Sequence, residues 1–242
     1  MMMPVCSEFF VLQSDKDVCV METRSVRLCE LMSKNIVTHS NIDGLARIKN
    51  KSLIPVGTVE FCCSWMALVG VSMPDPLDYP ESLSDFFGRK IGLYETYADA
   101  PDGKFVKPFQ TKAWESHIKR HGADFSGRVW ACDQLSKIIA EWRVYVLDGA
   151  IVGIGRYDEF DGEHEFDLKY AETVVYRYFA GGDAPVSFGI DIGLIDGGSF
   201  VVIEVNDAWA LGLYKCDVLP MERCAYRDML ARRWDEIKRR VL

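Results

Sequence analysis

At 242 residues, 49% of them hydrophobic, the chain can bury a sizeable core, expected in two or three subdomains rather than one. A net charge of −8 and a pI near 5.1 argue against a surface built to hold nucleic-acid phosphates. No run of about 20 apolar residues could cross a bilayer. The opening Met-Met-Met-Pro-Val-Cys-Ser-Glu lacks the basic and apolar stretches of a signal peptide, so the eight cysteines are expected as reduced thiols in a cytoplasmic protein. Adjacent Cys62-Cys63, with no C-x-x-C anywhere, argues against a zinc site.

In chain order, residues 1–75 read as a small α/β region. A strand is expected at 18–21, a short helix capped by Ser25 at 25–34, and a strand at 53–61, where Pro55 marks an edge or strand start. Residues 73–80, Met-Pro-Asp-Pro-Leu-Asp-Tyr-Pro, cannot be regular structure and form the clearest linker. Ser82 or Ser84 then opens a short helix running to Arg89-Lys90. Strands are expected at 104–108 and 129–133, with a helix at 114–121 between them. A hairpin of 141–147 and 150–156 is turned by Asp148-Gly149, which sets Arg143 opposite Ile154. Residues 170–179 form an amphipathic helix, and 220–242 a final helix with Met221, Cys224, Met229, Leu230, Trp234 and Ile237 as its apolar stripe.

The most informative stretch is 189–207. Asp196-Gly197-Gly198-Ser199 separates two β-branched runs, a strong tight-turn signal. With Gly197-Gly198 as the loop, Asp191 faces Glu204, and Asn206 shares their side of the ribbon. The other side carries Ile190, Ile192 and Leu194 opposite Val205, Ile203 and Val201, an apolar layer for a core. Glu204 stands in an otherwise apolar strand, where an unpaired carboxylate is costly. Oxygen ligands gathered on rigid strands suit a hard cation such as Mg²⁺, commonly beside nucleotide phosphates; the competing reading is a solvated sheet face.

Other residues point the same way more weakly. Lys107 ends a strand just before a proline, where its ammonium must find a partner, and a phosphate is a good one. Glu141, Arg143 and Tyr145 share one face of their strand, with Trp142, Val144 and Val146 on the other. Arg156 beside Tyr157 could meet a substrate carboxylate. Four histidines have neither triad nor metal spacing. The phosphate cradles G-x-x-x-x-G-K-[ST] and G-x-G-x-x-G are both missing, which removes P-loop and Rossmann readings.

An acid thirteen positions before Glu-x-Asn, across a hairpin, resembles the magnesium-binding end of ATP-grasp ligases. Further pieces follow in that superfamily's order. Phe105-Val106-Lys107-Pro108 resembles the strand whose lysine reaches ATP. Val129 to Leu135 resembles the adenine-binding hinge, and Glu141 to Val146 the strand that follows it. The run from Glu204 to Tyr214 is closer still to a small clade with an arginine-and-lysine signature, frequent in phage and bacterial genomes. The likeness covers about residues 50–216.

The resemblance implies an α/β, more closely α+β, ATP-grasp fold: a small N-terminal domain at 1–75 and two subdomains, 76–135 and 136–242, that clasp ATP. It implies Mg²⁺, or Mn²⁺ in its place, on Asp191, Glu204 and Asn206. Trp130, Ala131, Cys132 and Asp133 would line the adenine site, and Glu141 would accept the ribose hydroxyls. Lys107, Arg143 and Arg89 would meet phosphate, with Lys90 an equal candidate for the role of Arg89. Lys112 lies where the family has a glycine-rich lid; here that loop is Phe-Gln-Thr-Lys-Ala, without glycine. The implied activity joins a carboxylate donor to an amine acceptor (an amino acid, peptide or protein terminus) through an acyl-phosphate. A kinase on the same fold, or a nucleotide-binding module without turnover, are the alternatives.

Overall fold

The computed structural model describes residues 9–13, 36–39, 45, 50–122 and 125–239. The strand expected at 18–21 and the helix at 25–34 lie outside them. Among the described residues there are three sheets. The first is parallel, in the order β2-β1-β3, from β1 (Phe9–Gln13), β2 (Ile36–His39) and β3 (Leu53–Val56).

The strand expected through residue 61 stops at Val56, and a helix, α1 (Val59–Val69), takes over. Val-Glu-Phe alternates like a strand, but Phe61, Cys62, Trp65, Met66 and Val69 bury one helical face. The Thr58 hydroxyl caps this helix by accepting from Phe61 N at 3.2 Å, and Gly70, at φ 67°, ends it.

The linker leads into a 3₁₀ helix at Glu81–Phe86, shorter than the helix expected to run to Arg89-Lys90, and then to an antiparallel sheet in the order β4-β7-β5-β6. Its strands are β4 (Ile91–Tyr94), β5 (Phe105–Pro108), β6 (His117–Ile118) and β7 (Val129–Cys132). β4 is an addition to the expected elements, and β6 replaces the helix expected at 114–121. There the aromatic side chains pack on one another: Trp114, His117 and Phe125 form a cluster around Tyr97, which an extended backbone serves better than a helical one.

The third sheet, order β11-β10-β8-β9, is antiparallel throughout: β8 (Ile138–Leu147), β9 (Ala150–Arg156), β10 (Ser187–Ile195) and β11 (Ser199–Asp207). Trp142, Val144, Val146, Phe188, Ile190 and Ile192 face a core closed by α2 (Leu168–Gly181). The opposite face receives α3 (Arg223–Arg239), anchored where Ser187 Oγ donates to Met229 O at 2.7 Å.

Both hairpins carry a bulge that the sequence reading lacks. Asp148-Gly149 forms the expected two-residue turn, with φ 51° and 77°. The register then slips at Val152, so Arg143 faces Gly155 and not Ile154. In the β10–β11 hairpin the loop has three residues, because Ile195 pairs Ser199. Ile203 is the extra residue that restores the register, which is why Asp191 still pairs Glu204. The apolar layer is corrected accordingly: Val202 and Phe200 pair Ile192 and Leu194.

Candidate functional site

Asp191 lies at the centre of the third sheet, only 2% exposed. Its β8 register partner, Arg143, grips it with two prongs, Nε to Oδ1 and Nη2 to Oδ2, each at 2.7 Å. Asn206 Nδ2 adds a 3.0 Å bond to Oδ2. Burial pushes the Asp191 carboxyl up while the Arg143 guanidinium pulls it down, and the bidentate geometry is that of an ionised pair. The Arg143 guanidinium lies 5.0 Å from the Tyr214 ring centre and 5.5 Å from that of Tyr157, and the two rings stack at 4.6 Å. Tyr145, two positions along β8, fixes the loop carrying Tyr214: its hydroxyl donates to Gly212 O and accepts from Tyr214 N, both at 2.8 Å.

On the facing sheet, Lys107 projects from β5. Its Nζ donates to Glu204 Oε2 and to Asp78 Oδ1, each at 2.7 Å. Burial works to raise Glu204, but Lys107, Arg143 and Asn206 outweigh it and hold this carboxyl below its ordinary range. Lys107, Lys112, Arg143, Glu204 and Asn206 line a cavity of about 740 Å³. Val59 and Glu60 from the start of α1, the 74–78 segment and the loop through Trp209 and Tyr214 complete its walls. Lys112 sits in its loop at φ 56°, a left-handed backbone that glycine adopts more readily than lysine.

The remaining expected residues do not line this cavity. Arg89 Nη2 donates to Ile203 O, the bulge carbonyl, at 3.0 Å, and its guanidinium sits over Tyr79. Trp130 turns its Nε1 to Asp78 Oδ2 at 2.9 Å. Ala131 is buried, the Cys132 thiol points to Phe105 O, and Asp133 pairs with Lys104. Glu141 is half-buried; burial, then Asp191, Asp158 and Glu204, push its carboxyl up to about 7. Arg156, a candidate for a substrate carboxylate, is instead engaged by Asp158 at 2.8 Å and by the carbonyls of Phe160 and Gly162.

Three features escape the sequence. Asp78 reads there as linker; in the structure it is buried, and its backbone pairs with Val205 on β11. Its flanking prolines give a loop signal, and nothing marks its contacts. The stacked Tyr157–Tyr214 pair joins two segments far apart in the chain. Asp207, at the end of the metal-like run, is gripped by Arg233 of α3, with Nε to Oδ1 at 2.7 Å, a contact no local pattern announces.

The donor set fits a hard cation. Lys107 donates to Glu204 Oε2, and the Asn206 amide donates to Asp191 Oδ2 and also hydrogen-bonds the Glu204 side chain, so carboxylate and amide oxygens of the kind a hard cation takes stand together in the cavity wall.

No curated protein is similar to the chain in sequence. A D-alanine–D-alanine ligase from Bacillus anthracis, solved with ATP, superposes with a TM-score of 0.58 at 12% identity, covering 97% of this chain and 99% of that one. The D-cycloserine synthetase DcsG gives 0.54 at 14% identity, covering 95% of this chain and 100% of its own. At these identities the likeness is one of fold. Residues 37–237 match the ATP-grasp domain of the arginine-and-lysine clade, family 3, and the chain therefore belongs to the ATP-grasp superfamily, within that clade.

Proposed function

We propose that the protein is an ATP-dependent carboxylate–amine ligase that works through an acyl-phosphate. The observation carrying this is the composition of the cavity wall: two cations, the half-buried Lys107 and the buried Arg143, stand beside Glu204 and Asn206 on rigid strands. That set suits charge transfer between phosphate and carboxylate, where catalysis is positioning and electrostatics. Family membership supports ATP as the nucleotide.

In this reading a carboxylate oxygen of the donor attacks the γ-phosphorus, the bond to the β-phosphate oxygen breaks, and ADP leaves. The amine nitrogen then attacks the acyl carbon, phosphate departs, and the nitrogen loses a proton to solvent or phosphate. Lys107 and Arg143 neutralise the phosphoryl oxygens, and Lys112 closes on them from its loop. Glu204 and Asn206, with Asp191 behind, would hold Mg²⁺, or Mn²⁺ in its place, which when bound shields the phosphate charge. Arg89 or Lys90, residues 130–133 and Glu141, none of which lines the cavity, would take the rest of the nucleotide. The donor would be a carboxylate and the acceptor an amine, with an amino acid, a peptide or a protein terminus as the candidates.

The test is interception. Hydroxylamine supplied in place of the amine, with ATP, Mg²⁺ and pooled carboxylates, is expected to give a hydroxamate together with ADP. Lys107→Ala and Arg143→Ala should lower its formation by orders of magnitude. AMP release would indicate adenylation, and phosphorylation of a hydroxyl substrate without trappable hydroxamate would indicate a kinase; either result overturns the proposal.

A further inference from the structure

Asp78 occupies a place that a connecting segment has no ordinary reason to fill. Its backbone is left-handed at φ 33°, uncommon for any residue but glycine and best tolerated by Asp and Asn. It is 8% exposed, and its carbonyl accepts from Val205 N at 2.8 Å, which ties the segment to β11 of the third sheet. Its carboxylate reaches the other way, to β5 and β7 of the second sheet, taking Lys107 Nζ on one oxygen and Trp130 Nε1 on the other. Lys107 and Trp130 are register partners across β5 and β7, so both project from one face. Asp78 thus joins the two walls of the cleft at the lysine assigned to phosphate.

An ammonium has three N–H donors in tetrahedral array. Asp78 and Glu204 take two of them, which leaves the third a single direction; the ammonium also lies 5.3 Å from the Tyr79 ring centre, and Lys107 lines the cavity. Glu204 is itself a proposed cation ligand, so with a cation present its hold on Lys107 weakens. Asp78 then becomes the carboxylate that keeps the ammonium in place, and the Trp130 bond keeps that carboxylate from turning. A flexible lysine held by a single anchor would spread over many rotamers and deliver less charge to any one oxygen.

We propose that Asp78 is a positioning residue, held by Trp130, that aims the Lys107 ammonium at the polyphosphate of the nucleotide. The proposal rests on the reading of Lys107 as a phosphate contact, and the experiment separates the two.

ATP and AMP binding are measured by titration calorimetry in Mg²⁺ on the full chain and on Asp78→Asn, Lys107→Ala, the double variant and Trp130→Phe. Asparagine keeps the left-handed backbone and an acceptor for Trp130 but loses the charge. The expected result is an ATP affinity about 10-fold weaker in Asp78→Asn with AMP binding unchanged. The double variant should be no weaker than Lys107→Ala, because both changes remove one interaction. Trp130→Phe, which leaves every charge in place, should weaken ATP by a smaller factor in the same direction. Unchanged or tighter ATP binding in Asp78→Asn, while Lys107→Ala weakens it, overturns the positioning role; so does additive loss in the double variant. If Lys107→Ala itself leaves ATP binding intact, the phosphate assignment of Lys107 falls, and the positioning role with it.

Discussion

Single carboxylates in this cleft are distinguished by what surrounds them rather than by residue type. Asp191 is sealed in a bidentate pair, so Asp191→Asn would leave the Arg143 guanidinium buried without its counter-charge. Loss of turnover in that variant would mix structure with chemistry, and Glu204→Gln, at a position 28% exposed in its side chain, separates them better. Glu141 is the contrasting case. Its carboxyl rises from an ordinary 4.5 to about 7, first through burial and then through Asp191, Asp158 and Glu204. The fold therefore favours the neutral form. The contribution of this group is complete below the ordinary value and is lost as pH climbs through about 7. Thermal melts of the nucleotide-free protein at pH 6 and pH 8 should show wild type losing several degrees against Glu141→Gln over that interval. An equal difference between the two proteins at both pH values would refute the shift. At this scale the pairing of Asp191 with Glu204 is legible, because hydrophobic alternation fixes which face a residue takes. The ion-pair partners of Asp78 and Asp207 are not: Lys107 and Arg233 each come from a distant segment.

Bulges and glycines set the geometry of the third sheet. The sequence reading places Asp191 opposite Glu204 through a two-residue turn, and in the structure a three-residue turn is offset by the bulge at Ile203. Alternation is a strong guide to facing but a weak one to the count of residues in a loop, and a bulge leaves no compositional mark. Arg89 satisfies the carbonyl of the bulged residue, so the irregularity is built into the packing. The same sheet brings a loop close to its surface through Gly155, the register partner of Arg143. A methyl group there would run into the carbonyl oxygen of Lys215. Gly155→Ala is expected to cost about 1–3 kcal/mol by forcing that segment off the sheet, measurable by urea denaturation. Because the segment adjoins Tyr214, which flanks Arg143, turnover should fall as well. A variant of unchanged stability would show that the approach is not tight.

The sequence suggests a division of the chain at residues 75 and 135, and among the described residues one apolar core holds side chains from both the first and the last of these parts. Phe10, Leu12, Leu53, Trp65 and Met66 pack in one cluster with Met229, Leu230, Trp234 and Ile237 of α3. Trp234 Nε1 also donates to Lys51 O at 2.9 Å, across 183 positions. Trp234→Ala should therefore cost about 3–5 kcal/mol and lower amide protection in β3 and α3 together, read by hydrogen exchange. Persistent protection of β3 alone would show that the N-terminal part has a core of its own. The family and the fold are legible at this scale because an ordered series of short motifs spans most of the chain, each weak alone. The sharing of one core by the two ends of the chain is not, since an apolar helix face does not name the surface that covers it. That sharing bears on how the protein is made. At a synthesis rate of about 5–20 residues per second, β3 leaves the ribosome on the order of ten seconds or more before Trp234 does. Over that interval its apolar side has no cover from α3, so a nascent chain presents a surface for chaperones. The start of α1, which walls the cavity through Val59, packs on that same shared core, so the cavity wall and α3 belong to one packed unit.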